Sequence, residues 1–595
     1  MKGEASVVGD FVIWTTAVVF AVGLLALAVS LKGVQIDGVA DYNTEKLEQS
    51  IRTIRRPGAR GRILDRNGVV LAGNRTMVSL VCHAGRFNSG SWTKAAGEIA
   101  VAVSNLSAAL SIPSSLTENG ILRHVRYDLW KPLFVRRDLT LEEIARFSEN
   151  EWDHPGFELV SEEVRVYPLG RLAAHAIGYV RRRDPSRDNC YGSGERFNHF
   201  EKEMCGADGL EAYYDLFLRG VPGESKVQVD AMQFSTREWT VTEPQCGPDL
   251  RLTLDSRIQA VAERELEGRR GACVVLDPRD GAVLALASAP DYDLADFTPV
   301  LSVESWSNYL HDADKPLLNR AVQGRYAPGS TFKPITSLAG LAAGVSPDDM
   351  YDCSGVFSLG AMRLRCSRRW GHGPLDLRDA LRDSCNCYFC NLSLLAGTNR
   401  LVRMARRFGM GERTGIDLGG EIAGVVPDAQ WKLDTYRERW YPGDLPQMSI
   451  GQGMLVATPL QMALVAGALG TGWRVTPHLK EGLEPQRRPL DVSAADLAIV
   501  REGMWRVAND PLGTGRKGAA NLRVRIGGKT GTAELGNGPN RRKNTWFIAF
   551  APYEAPTVAL AMVVEEGESG GGTTAPRARN VLAAIFGEEG TEAGK

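Results

Sequence analysis

The sequence predicts an α+β protein: a domain built on an antiparallel sheet, preceded by a mixed, elongated domain and a single N-terminal transmembrane helix. Three observations predict it. Phe11 to Leu31 form an apolar stretch without a charge. Near residue 250 irregular texture gives way to a regular order of helices and strands. The last quarter of the chain carries three runs that read as strands.

The N-terminal run is long enough, at 1.5 Å per residue, to cross a hydrocarbon layer roughly 30 Å thick. A cleaved signal peptide is the alternative, although its apolar part is only about 7 to 15 residues long. Charge does not set the orientation, because Lys2 lies on one side and Lys32 and Lys46 on the other. No later segment is apolar and long enough to span. The expected division is therefore a tail over 1–10, an anchor over 11–31 and everything beyond on one side of a membrane.

Residues 32–250 alternate charged stretches with short apolar runs, with turn-rich patches at Pro185–Gly194 and Cys205–Gly209. From 251 to 586 the elements are regular. A strand over Leu250–Leu254 leads into an amphipathic helix from Ser256, whose side chain can cap it, to about Arg269. Ala272–Leu276 and Ala282–Ala289 form a hairpin around Asp277-Pro278-Arg279-Asp280-Gly281, which has tight-turn chemistry. Ser330–Leu341 and Leu377–Cys390 read as helices, and Leu522–Lys529, Trp546–Ala551 and Val558–Glu565 as strands. The Gly-rich 587–595 reads as a frayed tail.

Of 595 residues, 44% are hydrophobic and 24% charged, as in a globular protein. Lys and Arg number 70 against 71 Asp and Glu. The diffuse positive field of a nucleic-acid binder is therefore missing.

Three short motifs occur in order: Ser330-Thr331-Phe332-Lys333, Ser384-Cys385-Asn386 and Lys529-Thr530-Gly531-Thr532. The first two are weak singly, since Ser91-Trp92-Thr93-Lys94 and Ser148-Glu149-Asn150 match the same patterns; the ordered set is specific. A serine hydroxyl needs a base to become a nucleophile, and residues three apart on a helix share a face, so Lys333 can reach Ser330. Burial beside a second cation, Lys529, would lower the pKa of Lys333 from about 10.4. Ser384 and Asn386 would hold Lys333 and pass a proton to a leaving amine. Lys529, Thr530 and Thr532 offer a cationic, hydroxyl-rich strand for a substrate carboxylate, with Gly531 between them. The turn at Pro328-Gly329 and the Thr532 amide would supply an oxyanion hole.

These motifs resemble the penicillin-binding serine transpeptidases, which share them with the serine β-lactamases. Further strings are similar to class B, the membrane-anchored transpeptidases. Arg60-Gly61-Arg62-Ile63-Leu64-Asp65-Arg66-Asn67-Gly68, Arg165-Val166-Tyr167-Pro168, His175-Ala176-Ile177-Gly178-Tyr179 and Gly209-Leu210-Glu211 resemble landmarks of their non-catalytic pedestal (dimerisation-type) domain. Asn319-Arg320-Ala321 and Tyr326-Ala327-Pro328-Gly329 match around the nucleophile. Thr414-Gly415-Ile416-Asp417-Leu418, Gly451-Gln452-Gly453 and Thr458-Pro459-Leu460-Gln461 favour the elongation-type branch, penicillin-binding protein 2, over the division type. The likeness covers about residues 55–586.

The resemblance implies a D,D-transpeptidase that cross-links peptidoglycan stem peptides through an acyl-enzyme on Ser330 and is trapped there by β-lactams. It implies no cofactor for catalysis, a catalytic domain outside the cytoplasmic membrane, and a glycosyltransferase of the SEDS family as partner through the anchor and pedestal. Rival readings remain at this point. A β-lactamase needs neither anchor nor pedestal. A D,D-carboxypeptidase differs only in its acceptor. A non-catalytic β-lactam-binding wall-assembly scaffold would not need the full motif set.

Cys353, Cys366, His372 and Cys385 fall within 33 residues and supply three thiolates and one imidazole, the donor set of a structural zinc site. A Cys353–Cys366 disulfide or plain buried thiols compete with that reading. Elongation-type relatives resemble the pattern and can carry zinc there. Cys385 stands between Ser384 and Asn386, so a metal would staple the second motif in place. Cys190 and Cys205 could form a separate bridge, and Cys387 and Cys390 read as core packing. Trp370 and the Glu568–Gly572 loop could border the site.

Overall fold

The computed structural model describes residues 4–37, 50–87, 91–114, 116–128, 131–183, 199–200, 203–229, 235–299, 301–536 and 542–588. Helix α1, Glu4–Lys32, begins seven residues before the apolar run. Among the described residues, its Phe11–Lys32 part is the one helix long and apolar enough to cross a membrane, and none of its apolar window is buried.

Two sheets follow. One pairs Ile51–Arg56 with Gly223–Val229, which in turn pairs with Ser235–Thr242. The other is built on the long strand Val70–Cys82, paired along most of its length with Phe157–Val166. Three of the four strings singled out in this half meet in one buried ionic knot, through Arg60, Arg165 and Glu211. Arg60 Nε lies 2.6 Å from Glu211 Oε2, Arg165 Nε lies 2.7 Å from Glu211 Oε1, and Arg60 Nη1 lies 2.7 Å from Asp215 Oδ1. Arg165 Nη1 also donates to the Gly61 carbonyl at 2.7 Å. Charges removed from water are tolerated only when paired and hydrogen-bonded in this way. Cys190, and with it the Cys190–Cys205 pairing, lies outside the described residues, as does Pro185–Gly194.

The second half is an antiparallel five-stranded sheet: β1 Gly271–Leu276, β2 Val283–Ala289, β3 Gly527–Leu535, β4 Arg542–Ala551 and β5 Val558–Val564, in the order β2-β1-β5-β4-β3. Both faces are covered, which is why its central strands read as unbroken apolar runs. Ala272, Val274, Ile548, Phe550, Ala559 and Ala561 belong to a core that includes helix α6, Pro459–Thr471. Cys273, Val275, Phe547, Ala549, Leu560 and Met562 alternate to the other face. There they join α2, Ser256–Arg264, and α7, Ala575–Phe586. Helix α6 lies close on β5 because Gly467 has no Cβ; one there would stand 2.9 Å from Pro278 Cβ and 3.3 Å from Ala559 Cβ.

Several boundaries differ from the sequence reading. The cap of α2 is Asp255, whose carboxylate accepts the Arg257 amide at 3.0 Å, not Ser256, and the helix stops at Arg264. Leu250–Leu254 keeps only Leu250–Arg251 as strand. Strand β3 starts at Gly527, because Leu522 and Arg523 bond instead to Glu588 and Gly587, which therefore are not frayed. The lysine of the third motif is the third residue of this edge strand rather than its last. The helix from Ser330 begins as a 3₁₀ turn over Gly329–Phe332 and becomes α-helical, α3, over Lys333–Leu341.

The largest difference is at the second motif. A continuous helix over Leu377–Cys390 was expected, but the chain forms α4, Leu377–Arg382, and α5, Asn386–Ala396, broken at Ser384. Ser384 has φ of +56°. Its amide bonds to the Leu381 carbonyl, and the Cys385 amide to that of Ala380, at 3.2 and 3.0 Å. This is a Schellman cap with serine where glycine is usual. Cys385 then caps α5 by accepting the Tyr388 amide at 3.4 Å.

Candidate active site

The first motif is held by its backbone. Gly329 has φ of +57°, and its amide donates to the Gly451 carbonyl at 2.8 Å. Ser330 is half-buried at the start of the 3₁₀ turn, where residues three apart eclipse, so Lys333 lies directly below it. Lys333 and Lys529 are both fully buried. Lys333 Nζ donates to Ser384 O at 2.6 Å, to Asn386 Oδ1 at 2.8 Å and to Ser384 Oγ at 3.3 Å. Lys529 Nζ donates to Ser384 Oγ at 2.9 Å and to Thr530 O at 3.0 Å. Ser384 is therefore shared by both amines, and its position is set by the left-handed break between α4 and α5.

The structure thus brings Lys333, Ser384, Asn386 and Lys529 together, one helical turn from Ser330. No direct Ser330–Lys333 hydrogen bond forms, because three acceptors already occupy the amine. Burial pushes Lys333 down to about 8. Burial, and then the neighbouring Lys333 charge, push Lys529 well below the ordinary lysine range. A site this dry does not hold two ammonium ions.

The third motif lies against the first. A Cβ on Gly531 would stand 2.8 Å from the Pro328 carbonyl, so only glycine lets β3 approach the nucleophile turn. Thr530 Oγ1 bonds to Thr514 Oγ1 at 3.1 Å, and Thr532 Oγ1 accepts the Gly570 amide at 3.2 Å. The Glu568–Gly572 loop therefore does abut β3. Thr514 was missed in the sequence: it lies in a turn without periodicity.

Also missed was the clasp behind the nucleophile. Trp546 Nε1 on β4 donates to the Ala327 carbonyl at 3.0 Å, and the Tyr326 and Trp546 rings meet edge to face at 6.0 Å. Tyr326 OH donates to Glu565 Oε1 at 2.9 Å, and Glu565 also receives Arg320 Nε at 3.1 Å and Arg270 Nε at 3.0 Å. Arg270 and Glu565 line a cavity of about 820 Å³ that also touches Arg171, Glu263 and Asp291. This cavity adjoins the β2 end of the sheet, the edge opposite the three motifs.

Cys353, Cys366, His372 and Cys385 form one cluster with their donor atoms all within 4.8 Å of one another. Cys366 and Cys385 sulfurs are 3.7 Å apart, and His372 Nδ1 is 3.6 Å from Cys353 Sγ and 3.4 Å from Cys366 Sγ. Tetrahedral bonds of about 2.3 Å to sulfur and 2.0 Å to nitrogen imply edges of roughly 3.8 and 3.5 Å, so the donor set fits zinc. Cys353 and Cys366 are free thiols. The cluster touches the second motif, since Cys366 Sγ accepts the Asn386 amide at 3.3 Å. Cys387 and Cys390 are buried in the core, as expected. Trp370 is 86% exposed.

A family model for the penicillin binding protein transpeptidase domain matches residues 271–583, and one for the penicillin-binding protein dimerisation domain matches residues 55–252. The chain is 34% identical over 591 residues to peptidoglycan D,D-transpeptidase MrdA of Escherichia coli strain K12, covering 93% of this chain and 91% of that protein. The PBP2–MreC complex from Helicobacter pylori contains a chain that matches with a TM-score of 0.78 at 27% identity, over 90% of this chain and 98% of its own. A chain of a peptidoglycan synthase complex, described as coordinating polymerization and crosslinking, matches with a TM-score of 0.73 at 29% identity over 98% and 99%. The chain belongs to the penicillin-binding transpeptidase family. Within that family it groups with the anchored, PBP2-type branch.

Proposed function

We propose that the chain is a peptidoglycan D,D-transpeptidase of wall elongation, carried out by Ser330 as nucleophile and Lys333 as its base. The observation that carries this reading is the convergence of Lys333 and Lys529 on Ser384, with Asn386 also holding Lys333, one turn from Ser330. Neutral Lys333, favoured by its burial, takes the Ser330 proton as Oγ attacks the carbonyl carbon of the penultimate D-Ala. The oxyanion is met by the Ser330 and Thr532 amides. Ser384 relays the proton from Lys333 to the amine of the departing D-Ala as the peptide bond breaks. Lys529 and Thr530 hold the substrate carboxylate. The amine of a neighbouring stem then attacks the ester carbon, its proton returns by the same route and Ser330 is released. A β-lactam ring is opened by the first step and stalls the second.

Residues 251–586 form the transpeptidase domain in this reading, and 32–250 the pedestal. The anchor leaves the catalytic domain on the outer side of the cytoplasmic membrane. The likeness to complexes containing MreC and a peptidoglycan synthase supports an assembly with membrane partners, of which a SEDS-family glycosyltransferase at the anchor and pedestal is the one proposed. Cys353, Cys366, His372 and Cys385 would hold a structural zinc. It would supply no catalytic chemistry but fix the loop bearing Asn386.

Fluorescent penicillin is expected to label the wild type covalently, and Ser330→Ala is expected to abolish labelling while the melting temperature holds. Labelling that persists in the alanine variant, or an adduct mapped by mass spectrometry to another residue, overturns the assignment. With a stem-pentapeptide donor and an amine acceptor the expected product is cross-linked dimer; trimmed peptide alone points to a carboxypeptidase, and a stalled adduct to a scaffold. One zinc per chain is expected in protein purified without added metal. A metal-free protein with Cys353 bridged to Cys366 rejects the zinc.

A further inference from the structure

From Cys353 to Leu375 the chain contains Arg363, Arg365, Arg368 and Arg369 but no Asp or Glu, although its charges overall nearly cancel. All four arginines are exposed. Arg363 turns to the carbonyls of its own hairpin, Gly360 at 3.1 Å and Met362 at 3.3 Å. Arg365, Arg368 and Arg369 have no carboxylate within ion-pair distance among the described residues. The contrast with Arg378 is direct: it is held by Asp348 at 2.9 Å and Glu502 at 2.8 Å. Arg369 lies over the exposed Trp370 ring, 5.2 Å from its centroid.

This uncompensated cluster is fastened to the site. The hairpin of Val356–Leu359 and Met362–Arg365 runs straight into Cys366. The Arg365 carbonyl accepts Asn386 Nδ2 at 3.0 Å, and the same side chain accepts Lys333 through Oδ1 at 2.8 Å. The arginines are thus carried on the loop that flanks Asn386, and the Cys/His cluster pins that loop at both ends. Like charges this close repel and gain nothing from each other. What they do is concentrate anions, and a guanidinium matches a carboxylate with two parallel hydrogen bonds.

We propose that Arg365, Arg368 and Arg369 form an anion-reading rim of the active site that docks free carboxylates of the stem peptide, with Trp370 as an apolar face beside them. The proposal rests on the transpeptidase reading above. Stem peptides carry carboxylates other than the terminal one taken by Lys529, and amidation removes their charge without changing the scissile bond. The rim therefore selects the unamidated peptide.

The test uses the full chain in detergent, with Arg365→Gln, Arg368→Gln and Arg369→Gln combined, and two donors that differ only in amidation of the side carboxylates. The wild type is expected to prefer the free-carboxylate donor, mainly through KM, and the triple variant to lose that preference about tenfold with its melting temperature unchanged. Raising salt narrows the wild-type preference, and the matching Arg→Lys triple restores part of it at low salt. Equal kinetics on both donors in the wild type, or an unaltered preference in the variant, overturns the proposal. So does a variant that keeps its donor preference but loses binding to phosphatidylglycerol vesicles, which assigns the patch to lipid headgroups. A wild type that no penicillin labels sinks the transpeptidase reading, and is distinguishable from all of these.

Discussion

Glu565 joins three donors, from Tyr326, Arg320 and Arg270, at the back of the strap that ends in Ser330. The strap's other hold is the Trp546 indole on the Ala327 carbonyl. Replacing Glu565 by Gln keeps the shape but converts charge-assisted bonds to neutral ones, a loss of roughly 1–3 kcal/mol. Part of that loss is expected as a looser Ser330. The second-order rate of penicillin acylation should fall about tenfold, and Tyr326→Phe, which removes one donor, should fall less. Stopped-flow acylation measured beside thermal melting checks this; a drop in melting temperature with an unchanged rate would assign Glu565 to folding alone.

At the level of elements, the break between α4 and α5 decides the site. A non-glycine residue in the left-handed region costs of order 1 kcal/mol. That cost is borne by Ser384, whose hydroxyl meets both lysines. Ser384→Gly is therefore expected to relieve backbone strain while removing the proton relay. The melting temperature should hold or rise, and acylation should slow by roughly 10²-fold. A variant that loses stability and keeps its acylation rate would contradict both halves of this account. The Cys/His cluster acts on the same break from the other side, through the Asn386 amide on Cys366.

Over the whole molecule, the two halves are joined by polar contacts that are largely buried. His175 Nε2 bonds to the Pro316 carbonyl at 2.7 Å, Asn319 Nδ2 to the His175 carbonyl at 3.1 Å, Asp65 to Ser256 Oγ at 2.7 Å, and Tyr214 OH to Asp417 at 2.7 Å. Burial lowers His175 from 6.5 to about 4. The folded state thus binds its proton more weakly than the unfolded chain. Its contribution is complete above about pH 6.5 and is lost as pH falls to 4, up to about 3 kcal/mol. The melting temperature should therefore drop between pH 6.5 and 4.5, and His175→Gln, which keeps a donor but does not titrate, should flatten that part of the profile. An equal slope in both proteins would place the acid sensitivity elsewhere.

What the sequence determined by itself was whatever is local or strictly periodic. The apolar anchor, the hairpin of β1 and β2, the runs of β4 and β5 and the three short motifs are all of this kind, since period and residue type act through nearest neighbours. Tertiary structure decided the rest. No glycine or proline marks the Schellman cap at Ser384, so pattern alone carried the helix through it. Nothing near Glu565 announces Tyr326, 239 residues away. Leu522 and Arg523 left β3 because Gly587 and Glu588 compete for them. In each case the deciding partner is remote in sequence, and only packing the chain brings it within hydrogen-bond reach.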